Sequence, residues 1–205
     1  MSFLQKITAK SWEHAGEMAG IHGGSFVKTP AQSMGLKLFL AVISSMFFLF
    51  IISYYLRMEV GDWNPLTDPK ILWANSLFLV LGSFALQSAR TAAKSGEISR
   101  LKNRLLVSGV FTVAFLAGQI IAWQQLYAQG FYATVNPSYA FFYLLTGLHG
   151  VHLAGGLWVW GRTTRKVWRA DEVVERMALS VQLCSLYWHY LLLVWLIMFG
   201  LLLST

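Results

Sequence analysis

Charge is scarce in this sequence. Asp, Glu, Lys and Arg make up 12% of its 205 residues, about half of the roughly 25% common in soluble domains. That shortage excludes most soluble enzymes, a disordered chain and a surface-exposed nucleic-acid binder. Cysteine is almost missing. Cys184 stands alone, which excludes an internal disulfide and a cysteine-based zinc site. The first twenty residues contain Lys6, Lys10, Glu13 and Glu17 and no sustained apolar core, so they do not read as a cleaved secretory signal. Walker loops, nucleophile elbows and dinucleotide fingerprints are also missing.

What the chain has in abundance is apolar length, with 56% hydrophobic and 15% aromatic residues. A hydrocarbon core about 30 Å thick takes roughly 20 apolar residues per helix. Five stretches reach that length, at 36–56, 71–89, 105–128, 139–161 and 178–203. None has a charged residue in its interior, and Lys37 sits at the edge of the first. The fold class expected is therefore all-α: five transmembrane helices in one antiparallel bundle joined by short connections. Residues 1–35 read as an N-terminal arm and 36–205 as one membrane domain.

The formal net charge of +7 records topology. Lys6, Lys10, Lys28 and Lys37 precede or open the first span. Arg90, Lys94, Arg100, Lys102 and Arg104 surround the second loop, and Arg162, Arg165, Lys166, Arg169 and Arg176 the fourth. The opposite side has only Arg57 and Lys70, beside Glu59, Asp62 and Asp68. The positive-inside rule then places the N-terminus in the cytoplasm and the C-terminus outside. Every basic residue is accounted for without a nucleic-acid partner. Asp62-Trp63-Asn64-Pro65 and Asn136-Pro137 read as outer turns, with Trp63 and Trp73 near the interface, where aromatic rings gather.

Polar residues inside the spans are the places to look for local function. The fourth span aligns His149, His152 and Gly156 on one face, and a second stripe, Thr146, Gly150 and Ala154, offers a small-residue surface for helix packing. A matching stripe runs through Ala114, Gly118 and Ala122. Ser76, Ser83 and Gln87 share a face of the second span, and the fifth has Gln182, Ser185 and His189. Gln119, Gln124 and Gln125 read as polar glue between helices.

The three membrane histidines admit two readings. Imidazole is a common metal and axial haem ligand, so His149 or His152 with His189 describes a stand-alone haem b protein. Alternatively the rings hydrogen-bond between helices or lie near a subunit interface. No carboxylate or thiolate completes a ligand set. Because the spans contain no Asp or Glu, a proton route or a small transporter working alone is disfavoured. A partner-dependent role is the natural inference.

Two strings carry a resemblance. The run Phe141-Phe142-Tyr143-Leu144-Leu145-Thr146-Gly147-Leu148-His149-Gly150-Val151-His152-Leu153-Ala154-Gly155-Gly156 resembles the Thr-Gly-x-His-Gly-x-His-x-x-x-Gly signature of subunit III of the haem–copper oxidases. Tyr187-Trp188-His189-Tyr190 with Val194-Trp195-Leu196 resembles that family's Tyr-Trp-His-Phe-x-Asp-x-Val-Trp segment. Leu38 to Ala41, Met46 to Phe48, Trp73 to Ser76, and Gly118-Gln119 with Trp123 agree in order, so the likeness covers about residues 36–200. It matches the short, five-helix bacterial form. The chain departs from the family at three carboxylate positions, occupied here by Ser44 or Ser45, by Ala122 and by Leu192.

The resemblance implies a non-catalytic subunit III of a bacterial haem–copper oxidase in the inner membrane. Such a subunit stabilises subunit I, shares the complex with subunit II, and helps sustain turnover while dioxygen is reduced and protons are translocated. Cytochrome c is the expected donor; a quinol oxidase and a nitric oxide reductase system are the alternatives. It further implies no haem or copper in this chain, both residing in partner subunits, and a phospholipid groove between the first two helices and the rest. His149, His152, His189, Trp188 and Trp195 then become structural signature residues. Lys37, Arg90 and Arg104, at the cytoplasmic ends of their helices, are the candidates to meet lipid phosphates.

Overall fold

The computed structural model describes residues 31–65, 70–169 and 174–204, and every regular element among them is helical. Five helices follow one another: α1 (Ala31–Met58), α2 (Ile71–Lys94), α3 (Ile98–Ala128), α4 (Pro137–Arg169) and α5 (Val174–Leu203). Each is long and apolar enough to cross a membrane. The arm expected at residues 1–35 lies, apart from 31–35, outside the described residues. Contacts divide the chain into Met1–Met34 and Gly35–Thr205, and the second unit is the one described below.

The helices outrun the apolar stretches that announce them. α2 continues through Arg90 to Lys94, α3 begins at Ile98, and α4 runs on to Arg169. Bilayer thickness limits the apolar run, whereas the helix ends where the backbone turns. At the α2–α3 junction Gly96 has φ +72°, and the amide of Glu97 reaches back to the Ala92 carbonyl at 3.1 Å. The α3 terminus repeats this cap, with Gly130 at φ +86° and the Phe131 amide on the Leu126 carbonyl at 3.1 Å. Both are left-handed caps that suit glycine because it has no Cβ. Lys102 lies 5.6 Å from the centre of the Trp168 ring, so the extended ends of α3 and α4 also meet.

Packing inside a bilayer gains little from hiding apolar area, because lipid tails are as apolar as leucine. Close fit and interhelical hydrogen bonds hold the helices together instead. α2 packs along α3 and α5, and α4 against α5 and α3. Half of α5's most apolar window is buried, against 11% of that of α1. Trp195, Phe115, Leu145 and Leu191 are fully buried at the centre.

α1 is set apart. Among the described residues, none of its Cα atoms lies within 8 Å of another helix. It is held by side chains: Phe47 against His152, Phe39 against Tyr187, Tyr54 against Phe141, and Ser44 hydrogen-bonded to the Tyr190 hydroxyl at 2.9 Å. The groove therefore separates α1 alone from α4 and α5, because α2 belongs to the tightly packed set. This differs from a groove behind the first two helices.

The two turns expected on the outer side are hooked to each other. Asn136 Nδ2 donates to the Asp62 carbonyl at 2.9 Å, and Ser138 Oγ donates to the Asn64 carbonyl at 2.6 Å. Asn136 Oδ1 also accepts from the Ser138 amide at 2.9 Å, which caps the first turn of α4 behind Pro137. Trp63 stacks edge-on against Tyr54 at 4.9 Å, while Trp73 is exposed beside Phe199.

Candidate functional site

Four of the five signature residues, His149, His152, Trp188 and Trp195, lie in the seam between helices, and His189 does not. His149 is fully buried, its ring 5.3 Å from that of Trp195 and 6.0 Å from that of Phe115, and neither ring nitrogen has a hydrogen-bond partner. His152, one turn away, turns Nδ1 to its own helix at the Leu148 carbonyl, 2.8 Å away, and lays its ring on Phe47 of α1. Its backbone carbonyl accepts from the Tyr187 hydroxyl at 2.9 Å. His189 is exposed, with Nδ1 2.6 Å from the Ser185 carbonyl.

The three imidazoles thus serve three surroundings: the interior of the packed helices, the α1 contact and an outward groove. Among the described residues no three His, Cys, Asp or Glu side chains gather to hold a metal ion. The side chains of the seam pack helix against helix.

The tryptophans show how the seam is fastened. The Trp195 indole donates to Ser76 Oγ on α2 at 2.9 Å, and the Trp188 indole to Thr112 Oγ1 on α3 at 3.2 Å. Two more bridges join α3 and α4, from Trp123 to Thr146 at 3.1 Å and from Trp160 to Ser108 at 3.2 Å. Each accepting hydroxyl donates its own proton to a carbonyl of its own helix, at Leu72, Ser108, Phe142 and Leu105 respectively. That donation leaves a lone pair for the neighbour's indole, in surroundings where water cannot supply a partner.

Trp160, Ser108 and Thr112 escape a search for titratable groups. Their visible signal is Ser108 and Thr112 one helical turn apart in an apolar run. Asn75 Nδ2 donates to Gln119 Oε1 at 3.4 Å, so Gln119 does join α2 to α3. Gln124 and Gln125 are exposed and take no part.

Small residues admit these large ones. A Cβ at Gly118 would collide with Asn75 Oδ1, one at Gly109 with the Trp160 ring, and one at Gly156 with Tyr187 and Trp188. The stripe Ala114, Gly118 and Ala122 is a packing surface at Gly118 and Ala122, both buried. The stripe Thr146, Gly150 and Ala154 is not. A Cβ at Gly150 would meet nothing within 4 Å, and Ala154 is exposed. Only Thr146 touches a neighbour, because the packed face of α4 runs instead through His149 and Gly156.

Two apolar clefts line the α1 groove. One, of about 350 Å³, lies among Leu36, Phe39, Gly156, Cys184 and Tyr187; the other, of about 720 Å³, among Ser44, Phe48, Ile51, Tyr190 and Ile197. Of the family's three carboxylate positions, the first falls at Ser44 or Ser45, both of which line this groove, Ala122 is buried, and Leu192 lines a separate groove between α2 and α5. Lys37 and Arg104 are exposed, whereas Arg90 is half-buried. No contact gathers the three cations into one site.

Five helices able to cross a membrane, four of them joined by tryptophan hydrogen bonds, define a polytopic membrane protein in which His149, Trp188 and Trp195 are buried between helices. No protein-family model matches the chain. It is 28% identical over 192 residues to cytochrome c oxidase subunit 3 of Synechocystis, covering 90% of this chain and 78% of that protein. It is 30% identical over 166 residues to the probable cytochrome c oxidase subunit 3 of Mycobacterium leprae, covering 75% and 78%. To cytochrome bo(3) ubiquinol oxidase subunit 3 of Pseudomonas putida it is 27% identical over 124 residues, covering 60% and 59%. The chain belongs to the cytochrome c oxidase subunit 3 family.

Proposed function

We propose that this chain is the non-catalytic subunit III of a bacterial haem–copper terminal oxidase that takes electrons from cytochrome c. In this reading it sits in the inner membrane with its N-terminus in the cytoplasm. It packs against subunit I in a complex that includes subunit II, and residues 1–35 form a cytoplasmic arm ahead of the membrane domain. Haem and copper belong to the partners. The carrying observation is that relatives named cytochrome c oxidase subunit 3 align over 75–90% of the chain. The seam supports it, because His149, Trp188 and Trp195 are engaged in holding helices together.

Phospholipid belongs to the same reading. Acyl chains suit the apolar clefts behind α1, and the exposed cations Lys37 and Arg104 suit headgroup phosphates where the helices meet the cytoplasmic interface.

Extraction in mild detergent tests the assignment. The chain is expected to bring down a larger subunit containing haem and copper. Removing it should leave those metals in place while the oxidase inactivates sooner during turnover. A chain that purifies alone, or an oxidase whose working life is unchanged without it, overturns the proposal. The partner's spectrum and donor preference separate a cytochrome c oxidase from a quinol oxidase.

A further inference from the structure

A second groove, of about 580 Å³, opens between α2 and α5 on the face away from α1's side-chain contacts. Its rim is apolar, with Phe84 68% and Leu186 42% exposed. Its lining includes Gln87 and Arg90 from α2 with Ser185 and His189 from α5. Ser185 Oγ lies 3.4 Å from both Gln87 Oε1 and His189 Nδ1. Arg90 Nε is buried with no hydrogen-bond partner, and Arg90 makes no ion pair among the described residues.

Such a lane is costly against lipid tails, which offer no hydrogen bonds, and a cation there calls for an anion. Among the described residues no carboxylate pairs with Arg90. All nine of the chain's Asp and Glu residues fall outside the five apolar stretches. Arg90 lies nineteen positions into α2, about 28 Å from its outer end and so near the inner edge of a hydrocarbon core about 30 Å thick.

We propose that the α2–α5 groove receives a transmembrane helix of a partner subunit, which presents a carboxylate to Arg90 and a hydrogen-bonding side chain to Gln87 or His189. This rests on the accessory-subunit reading above and names the face that docks. Charge complementarity selects the occupant. A lipid phosphate stays at headgroup level, whereas His189 lies a full turn, about 6 Å, deeper than Ser185. A helix running along the groove meets every polar group in it, and its apolar side chains fit between Phe84 and Leu186.

A photo-crosslinking residue placed at Phe84 or Leu186, in the whole complex extracted in mild detergent, tests this. Crosslinks are expected to a co-purifying subunit, mapping to a membrane peptide that contains Asp or Glu. The same residue at Val110, exposed on α3, should not give them. Arg90→Glu should lower recovery of the partner about tenfold or more, as loss of a buried charge pair does. Arg90→Lys should be milder, and replacing the mapped carboxylate with Arg should restore the Arg90→Glu complex. Chain content of the membrane separates lost docking from misfolding. Crosslinks to phospholipid alone, or partner crosslinks from Val110 with Arg90→Glu still assembling, overturn the docking face while leaving the accessory role intact. If no metal-bearing subunit accompanies the unmodified chain, the accessory role fails and this inference with it.

Discussion

Single side chains in this protein are tied to bonds that an apolar environment makes hard to replace. Trp195 is a case in point, since its indole proton has Ser76 as its partner and the ring around it is 1% exposed. Trp195→Phe and Ser76→Ala should each destabilise the protein by about 0.5–1.5 kcal/mol, typical of interhelical bonds in membranes. The double variant should cost less than the sum. Unfolding in mixed micelles titrated with a denaturing detergent measures this, and strict additivity would show that the bond contributes nothing. Two glycines offer a sharper contrast. Gly118→Ala pushes into Asn75 and disturbs its bond to Gln119, with an expected cost of about 1–3 kcal/mol. Gly150→Ala meets open space and should stay within about 0.5 kcal/mol. The sequence places both glycines on small-residue stripes at the same spacing. The spacing does not say which stripe faces a neighbour, so both read alike as packing surfaces and the difference between them was not legible.

At the scale of the element, the C-terminal end of α1 is closed by an ion pair. Arg57 donates twice to Asp62, at 2.6 and 2.5 Å, just where the hooked α1–α2 loop begins. The hydrogen bonds from Arg57 hold the Asp62 carboxyl below its ordinary value; desolvation opposes them, and the charge attraction of Arg57 adds to them. A carboxyl depressed in the folded state stabilises it above the unfolded pKa, and the effect fades as pH falls through the folded value. Between pH 8 and 5 the pair should therefore contribute a constant amount, with loss beginning below about pH 4. Asp62→Asn should flatten that acid limb of detergent-micelle stability. Added salt should weaken the effect, because the pair is exposed. An acid limb identical in Asp62→Asn would overturn the assignment. α1 itself illustrates a limit of reading elements from apolar runs. Its run is as apolar as any other, but its contacts are large side chains reaching across a gap, and hydropathy does not distinguish a packed helix from one that stands off.

For the membrane domain as a whole, charge asymmetry and helix count make one joint statement about topology. With the N-terminus in the cytoplasm, the Ser95 turn faces inward and Ser204 faces outward. Ser95→Cys should react with a membrane-impermeant maleimide in inside-out vesicles, and Ser204→Cys in intact cells whose outer membrane is permeabilised. Cys184 is 2% exposed and should stay silent in both, so the native chain serves as its own control. Reaction of both engineered cysteines from the same side would contradict a five-span chain.

The sequence by itself determined the number of helices, their approximate limits and the absence of acids within the spans, along with the strings that carry the family likeness. It could do so because a bilayer imposes a length and a solvent on each segment independently of its neighbours. What only the tertiary structure decided was which polar residues meet. His149, His152 and His189 fall within two spans, yet the fold sends one into the interior, one onto α1 and one to the α2–α5 groove. Arg90 reads in sequence like the other cytoplasmic cations, and only the packing of α2 on α5 buries its Nε beside Gln87 and His189. Meetings of this kind depend on helix rotation and on which helices are neighbours. Those are set by close fit between side chains far apart in the chain, and no local pattern encodes them.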